Sequence, residues 1–88
     1  MDLLECRKEL DGIDRQIVEL FEKRMEICGY VAESKLASGK AVYDGERERQ
    51  KLEAVEAMAH GDFNRTAVTE LFSQMMTISR RYQYKLLE

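Results

Sequence analysis

The sequence predicts an all-α protein of three helices per chain, long, short and medium, forming an intertwined helical homodimer. Three observations carry this. Apolar residues recur at spacings of three and four from Leu3 to Val31, which describes one face of a helix. Strong interruptions come only at Ser38-Gly39-Lys40 and His60-Gly61, so the chain divides into three segments. A single domain of 88 residues with no proline and no obvious disulfide framework encloses a modest core, and pairing with a second copy is one way to enlarge it.

The first helix rests on Leu3, Leu10, Ile13, Ile17, Leu20, Ile27 and Val31, with Arg24 standing where the next apolar residue is due. Gly12 and Gly29 each lower helix propensity by about 1 kcal/mol relative to Ala, without dividing the segment. From Leu3 to Ser38 the helix is about 54 Å long. That is too long for a compact domain of this size, so much of its apolar stripe is expected to meet a partner chain. Gly39 suits the left-handed position that ends a helix.

A short extended segment, Ala41-Val42-Tyr43, leads to Asp44, the expected N-cap of the second helix. That helix turns Leu52, Val55, Met58 and Ala59 inward and is expected to end near His60-Gly61. Asp62-Phe63-Asn64 forms the next connection, with Asn64 capping a third helix whose apolar face is Val68, Leu71, Phe72, Met75, Ile78, Tyr82 and Leu86. Residues 1–88 form one domain, with no internal repeat, low-complexity stretch or linker.

Fourteen Lys and Arg stand against seventeen Asp and Glu, a net charge of −3. This weighs against nucleic acid as the main partner, because a phosphate-backbone binder carries a basic face. It leaves room for a small anionic ligand, which needs only a few converging cations. The opening residues lack the basic start and apolar run of a signal peptide, and no stretch approaches the ~20 apolar residues that cross a bilayer. A cytoplasmic location with no membrane contact is the expectation. Cys6 and Cys28 fall about 33 Å apart on the first helix, too far to pair within it, and are expected to pack as thiols in a reducing compartment.

The informative residues are polar ones at positions where packing favours apolar ones. Arg24 lies four residues after Leu20 and three before Ile27. A buried guanidinium there calls for a carboxylate, from the protein or from a ligand. Lys35 follows Arg24 by eleven residues, three turns plus about 20°, so both lie on nearly one face about 16 Å apart. Arg7 is seventeen residues before Arg24, about 25 Å away and rotated by roughly 100°. One chain does not easily bring Arg7 to the same small ligand, whereas an antiparallel partner helix returns it to the far end.

Asp44, Arg47 and Glu48 cluster on the first turns of the second helix at i, i+3 and i+4, as a cap with a local ion pair or as ligand contacts. Ser79 and Gln83 form an i, i+4 pair beside the apolar stripe of the third helix. The sequence shows no His-Cys cluster of metal spacing, no Walker-type loop and no Ser-His-Asp assembly. The sole histidine, His60, sits beside Gly61 at a helix terminus. An anionic substrate held without covalent attack fits this inventory best.

With these residues in view, the sequence resembles the all-helical chorismate mutase family, found as free enzymes or at the front of bifunctional prephenate-forming proteins. The resemblance lies in the opening Leu4 to Asp14, in Leu20-Phe21-Glu22-Lys23-Arg24-Met25, and in Lys35 followed by Val42-Tyr43-Asp44-Gly45-Glu46-Arg47-Glu48-Arg49. Leu71-Phe72, Ser79 and Gln83 extend it along the third helix. Two departures stand out: Ala41 replaces a proline common in the family, and Arg80-Arg81-Tyr82 adds charge and bulk beside Ser79.

The resemblance implies a cofactor-free Claisen-type rearrangement of chorismate to prephenate in aromatic amino-acid biosynthesis, by a homodimer. It implies that Arg24, with Arg7 from the other subunit, clamps the two substrate carboxylates. Lys35 and Gln83 would donate hydrogen bonds to the ether oxygen, and Glu48 would accept the ring hydroxyl. Asp44 and Ser79 would orient the substrate or its neighbours, and Arg47 would support the site electrostatically. Two other readings fit parts of the pattern: an isochorismate-pyruvate lyase of the same fold, and a non-catalytic helical dimerisation or regulatory module. The second explains the long amphipathic helix equally well, but explains less well why Arg24 interrupts the stripe with Lys35 on the same face.

Overall fold

A computed structural model describes all 88 residues. It contains α1 (Leu3–Ser38), α2 (Gly45–Met58) and α3 (Asp62–Leu86), with no strand. The all-α class and the long, short, medium order follow the sequence expectation, and α1 has the predicted boundaries. No helix is long and apolar enough to cross a membrane.

Local chemistry sets the ends of α1. Asp2 accepts the Glu5 N–H at 2.8 Å, satisfying one of the free amides of the first turn. At the other end Gly39 adopts φ 72°. Its N–H bonds to Leu36 O, while Lys40 N–H bonds to Lys35 O at 2.8 Å. This paired arrangement is the Schellman motif, which requires a left-handed residue at Gly39. Nothing lies within 4 Å of a Cβ added there, so the cost of a side chain is conformational alone. Gly39→Ala is expected to destabilise the protein by about 1 kcal/mol, lowering the melting temperature by roughly 5 °C in a thermal scan.

Asp44 caps α2 as expected, its Oδ1 accepting the Arg47 N–H at 3.0 Å. Three local expectations are corrected. The segment around Val42 bends rather than running extended, because the Val42 side chain is buried and its carbonyl turns to accept the Lys35 ammonium at 2.6 Å. Helix α2 stops at Met58, with Ala59 extended at φ −79°, ψ 152°, so Ala59 lies just outside the helix and Met58 is exposed. Helix α3 starts at Asp62 with Gly61, not Asn64, in the N-cap position. Gly61 takes φ 88°, which turns the chain before Asn64 is reached, and Asn64 Nδ2 instead donates to His60 O at 3.1 Å.

Helix α3 packs against both α1 and α2. Gly29 and Ala32 of α1 are buried at the crossing, and a Cβ on Gly29 would lie 3.5 Å from Leu86 Cδ1 and 3.7 Å from the Tyr82 ring. Small residues there allow the close approach. The inward stripe of α3 is Met76, Ser79 and Gln83, rotated by one position from the predicted stripe. Leu71 and Ile78 belong instead to an open apolar groove of about 510 Å³ shared with Ile17, Leu20 and Phe21 of α1.

A single chain therefore covers little of its apolar surface. Its buried apolar residues are Ala32, Val42, Val55 and Met76, while Leu10, Ile13, Ile17 and Leu20 are half exposed or more. The molecule extends 54 Å along its main axis with a radius of gyration of 16.0 Å, against about 12 Å for a compact domain of this length. The uncovered face is the one that the sequence assigns to a partner.

Candidate active site

The inward stripe of α3 faces a cavity of about 170 Å³. Arg24 and Lys35 reach it from α1. Val42, Asp44, Arg47, Glu48 and Lys51 come from the α1–α2 turn and α2, and Met76, Ser79, Arg80 and Gln83 from α3. Seven of the eight residues singled out in the sequence are thus brought together. Arg7 is not among them: it is exposed on the first turns of α1, as the separation along the helix requires within one chain.

Side-chain hydrogen bonds fix the donors of the site. Arg24 Nη1 donates to Ser79 Oγ at 2.7 Å and to Cys28 Sγ at 3.7 Å. Both protons of that nitrogen are engaged, leaving Nη2 and Nε as an edge suited to a carboxylate. Ser79 Oγ in turn lies 2.9 Å from Met75 O. Its proton goes to that carbonyl while it accepts from Arg24, so Ser79 orients Arg24 and has no further strong donor to offer.

Gln83 is buried and its Nε2 donates to Cys28 O at 2.9 Å. Because the carbonyl can only accept, this bond fixes which end of the amide is nitrogen and leaves one N–H for a ligand. Lys35 Nζ spends one proton on Val42 O at 2.6 Å and retains two.

The charge balance is lopsided. Five cationic side chains line the cavity against two carboxylates, Asp44 and Glu48, in a chain whose net charge is −3. Asp44 accepts the Arg47 backbone amide. Glu48 is ion-paired with Arg80, whose protonated form this contact favours further. Arg24, Lys35, Arg47 and Lys51 have no carboxylate within ion-pair distance. Of the cap and local ion pair open in the sequence for Asp44, Arg47 and Glu48, the cap forms and the ion pair within that cluster does not. The remaining ion pairs join Glu46, Arg49 and Glu53 on the solvent side of α2, and Asp62 to Arg65. No group of three or more His, Cys, Asp or Glu side chains is placed to hold a metal ion.

A small cavity with a surplus of unpaired cations and two neutral groups, one aligning a guanidinium, is built to receive a compact polyanion. Residues 6–84 match the family model for chorismate mutase type II. The chain belongs to this family. It is 36% identical over 87 residues to a bifunctional chorismate mutase/prephenate dehydratase of Buchnera aphidicola subsp. Schizaphis graminum, covering 98% of this chain and 23% of that protein. A protein of the same description from Buchnera aphidicola subsp. Acyrthosiphon pisum is 31% identical over 87 residues, with the same coverage. The T-protein of Haemophilus influenzae is 38% identical over 52 residues, 59% of this chain and 14% of its own length. The chain thus spans about a quarter or less of the length of these relatives.

Two charged residues of this chorismate mutase-family site escaped the sequence reading. Lys51 lies three residues after Glu48 and four after Arg47, a helical spacing that places it on their side of α2. Arg80 stands out in the sequence only as part of the added charge and bulk beside Ser79. Its partner Glu48 is 32 residues away in the chain, and no local pattern links the two.

Proposed function

We propose that the chain rearranges chorismate to prephenate in a site completed by a second copy. The observation that carries this reading is the set of four cations, Arg24, Lys35, Arg47 and Lys51, lining one small cavity without a protein carboxylate to pair with. Such a cluster repels itself, and a dianion filling the cavity relieves that repulsion.

The reaction is an isomerisation: the ether carbon–oxygen bond breaks as a carbon–carbon bond forms within one molecule. It needs no nucleophile and no proton-transfer base. The protein contributes by holding the compact reactive conformer and stabilising the charge that grows on the ether oxygen. The free edge of Arg24 binds one carboxylate, aligned by Ser79. Lys35 and Gln83, each with protons to spare, donate to the ether oxygen. Glu48 accepts the ring hydroxyl, while Asp44 shapes the first turn of α2 and Arg47 adds positive potential.

The same geometry supports pairing. Arg24 lines both the polar cavity and the apolar groove that one chain leaves open. A partner helix covering that groove would close the site beside Arg24 and deliver its own Arg7 to the second carboxylate.

The decisive experiment is incubation of the purified chain with chorismate, with the products identified by NMR and Arg24→Ala as control. Prephenate from the parent chain and little or none from the variant is the expected result. Pyruvate with a hydroxybenzoate would replace this reading with lyase chemistry, and no turnover by a folded dimer would replace it with a binding module.

A further inference from the structure

The Glu48–Arg80 pair joins α2 to α3 at the cavity wall and differs from every other ion pair in the chain. The side chains are 24% and 27% exposed, whereas those of the Glu46–Arg49 and Arg49–Glu53 pairs are 55–66% exposed. A pair so screened from water has a stronger influence on side-chain geometry than a solvated surface pair.

Arg80 is itself held on two further sides. Its guanidinium carbon lies 5.3 Å from the centre of the Tyr43 ring, within cation–π range. Its Nη2 approaches Thr77 Oγ1 at 3.4 Å. The Tyr43 ring in turn rests over Gly45, where an added Cβ would fall 2.9 Å from the phenolic oxygen and 3.2 Å from Cζ. Gly45 is in the first turn of α2, so the missing side chain makes room for the aromatic ring that backs Arg80.

We propose that Arg80 is a positioning residue that acts through Glu48, and that Tyr43 packed over Gly45 holds Arg80 in place. Arg80 engages one carboxylate oxygen of Glu48 and leaves the other available to accept a substrate hydroxyl. The four residues form one chain of contacts, from Gly45 through Tyr43 and Arg80 to Glu48. The inference rests on the mutase reading above and adds to it the means by which Glu48 is aimed.

The test is a double-mutant cycle on chorismate turnover by the intact chain, using Arg80→Met, Glu48→Gln and the double variant, with circular dichroism to confirm folding. Arg80→Met is expected to lower kcat/KM roughly tenfold in the parent background. It is expected to change kcat/KM less than about twofold once Glu48 is already Gln, because there is no carboxylate left to aim. Arg80→Lys should recover part of the loss, since an ammonium can still pair with the carboxylate and lie over the ring. Tyr43→Leu should fall between parent and Arg80→Met. Equal losses from Arg80→Met in both backgrounds, or no loss in the parent background, would overturn the positioning role while leaving the mutase reading intact. Absence of turnover by the folded parent would overturn both.

Discussion

Lys35→Ala is expected to lower kcat by about 10²–10³-fold while KM changes only a few-fold, as measured by the disappearance of chorismate under steady-state conditions. The size follows from the role proposed for the ammonium, a preplaced donor to the oxygen on which charge develops in the transition state. A contact made mainly in the transition state appears in kcat and leaves ground-state binding largely alone. The structure shows why the ammonium is held ready: one proton is fixed on Val42 O at 2.6 Å, which restrains a flexible side chain and leaves two protons for the substrate. The same substitution removes the partner of that carbonyl, so circular dichroism must show that the turn before α2 survives. Unchanged kcat in a folded variant would remove Lys35 from the chemistry.

Much of this site was legible in the sequence because its signals are periodic. Arg24 breaks an apolar stripe, Lys35 returns to its face after three turns, and Ser79 and Gln83 are one turn apart. Helical spacing alone places each pair on one side. Gly39 and Asp44 were equally readable, since a left-handed terminus and a capping carboxylate have local causes that neighbouring residues supply.

The rest depended on tertiary placement. The third helix carries two adjacent stripes, one apolar through Leu71, Met75 and Ile78, the other through Met76, Ser79 and Gln83. Hydrophobicity selected the first as inward, whereas within a chain the second is buried and the first is left on an open groove. Arg80 shows the same limit: nothing near it in sequence announces Glu48, because the pair exists only once α2 and α3 are packed. Gly61 prevailed over Asn64 as the start of α3 because backbone freedom at a tight turn outweighed a better capping side chain.

The exposed stripe leads to the second large effect, activity recovered from two inactive proteins. If the site takes Arg24 from one subunit and Arg7 from the other, Arg7→Ala and Arg24→Ala homodimers each lack a carboxylate clamp at both sites. Each is expected to lose at least about a hundredfold in kcat/KM, since a clamp lost is a contact to a full negative charge lost. In a mixed dimer the two lesions fall in the same site, and the other site inherits an intact Arg7 from one chain and an intact Arg24 from its partner. Equal amounts of the variants, unfolded together and refolded, give mixed dimers as half of the population on random pairing. About a quarter of parental activity should return. Arg7 is about 25 Å from Arg24 along α1, so a single chain has no comparable way to restore a site. Recovery to that level would establish both the pairing and the crossing of Arg7. Full activity in Arg7→Ala alone would exclude Arg7 from the site, and two inactive variants that stay inactive after mixed refolding would show that the site is not shared in this way.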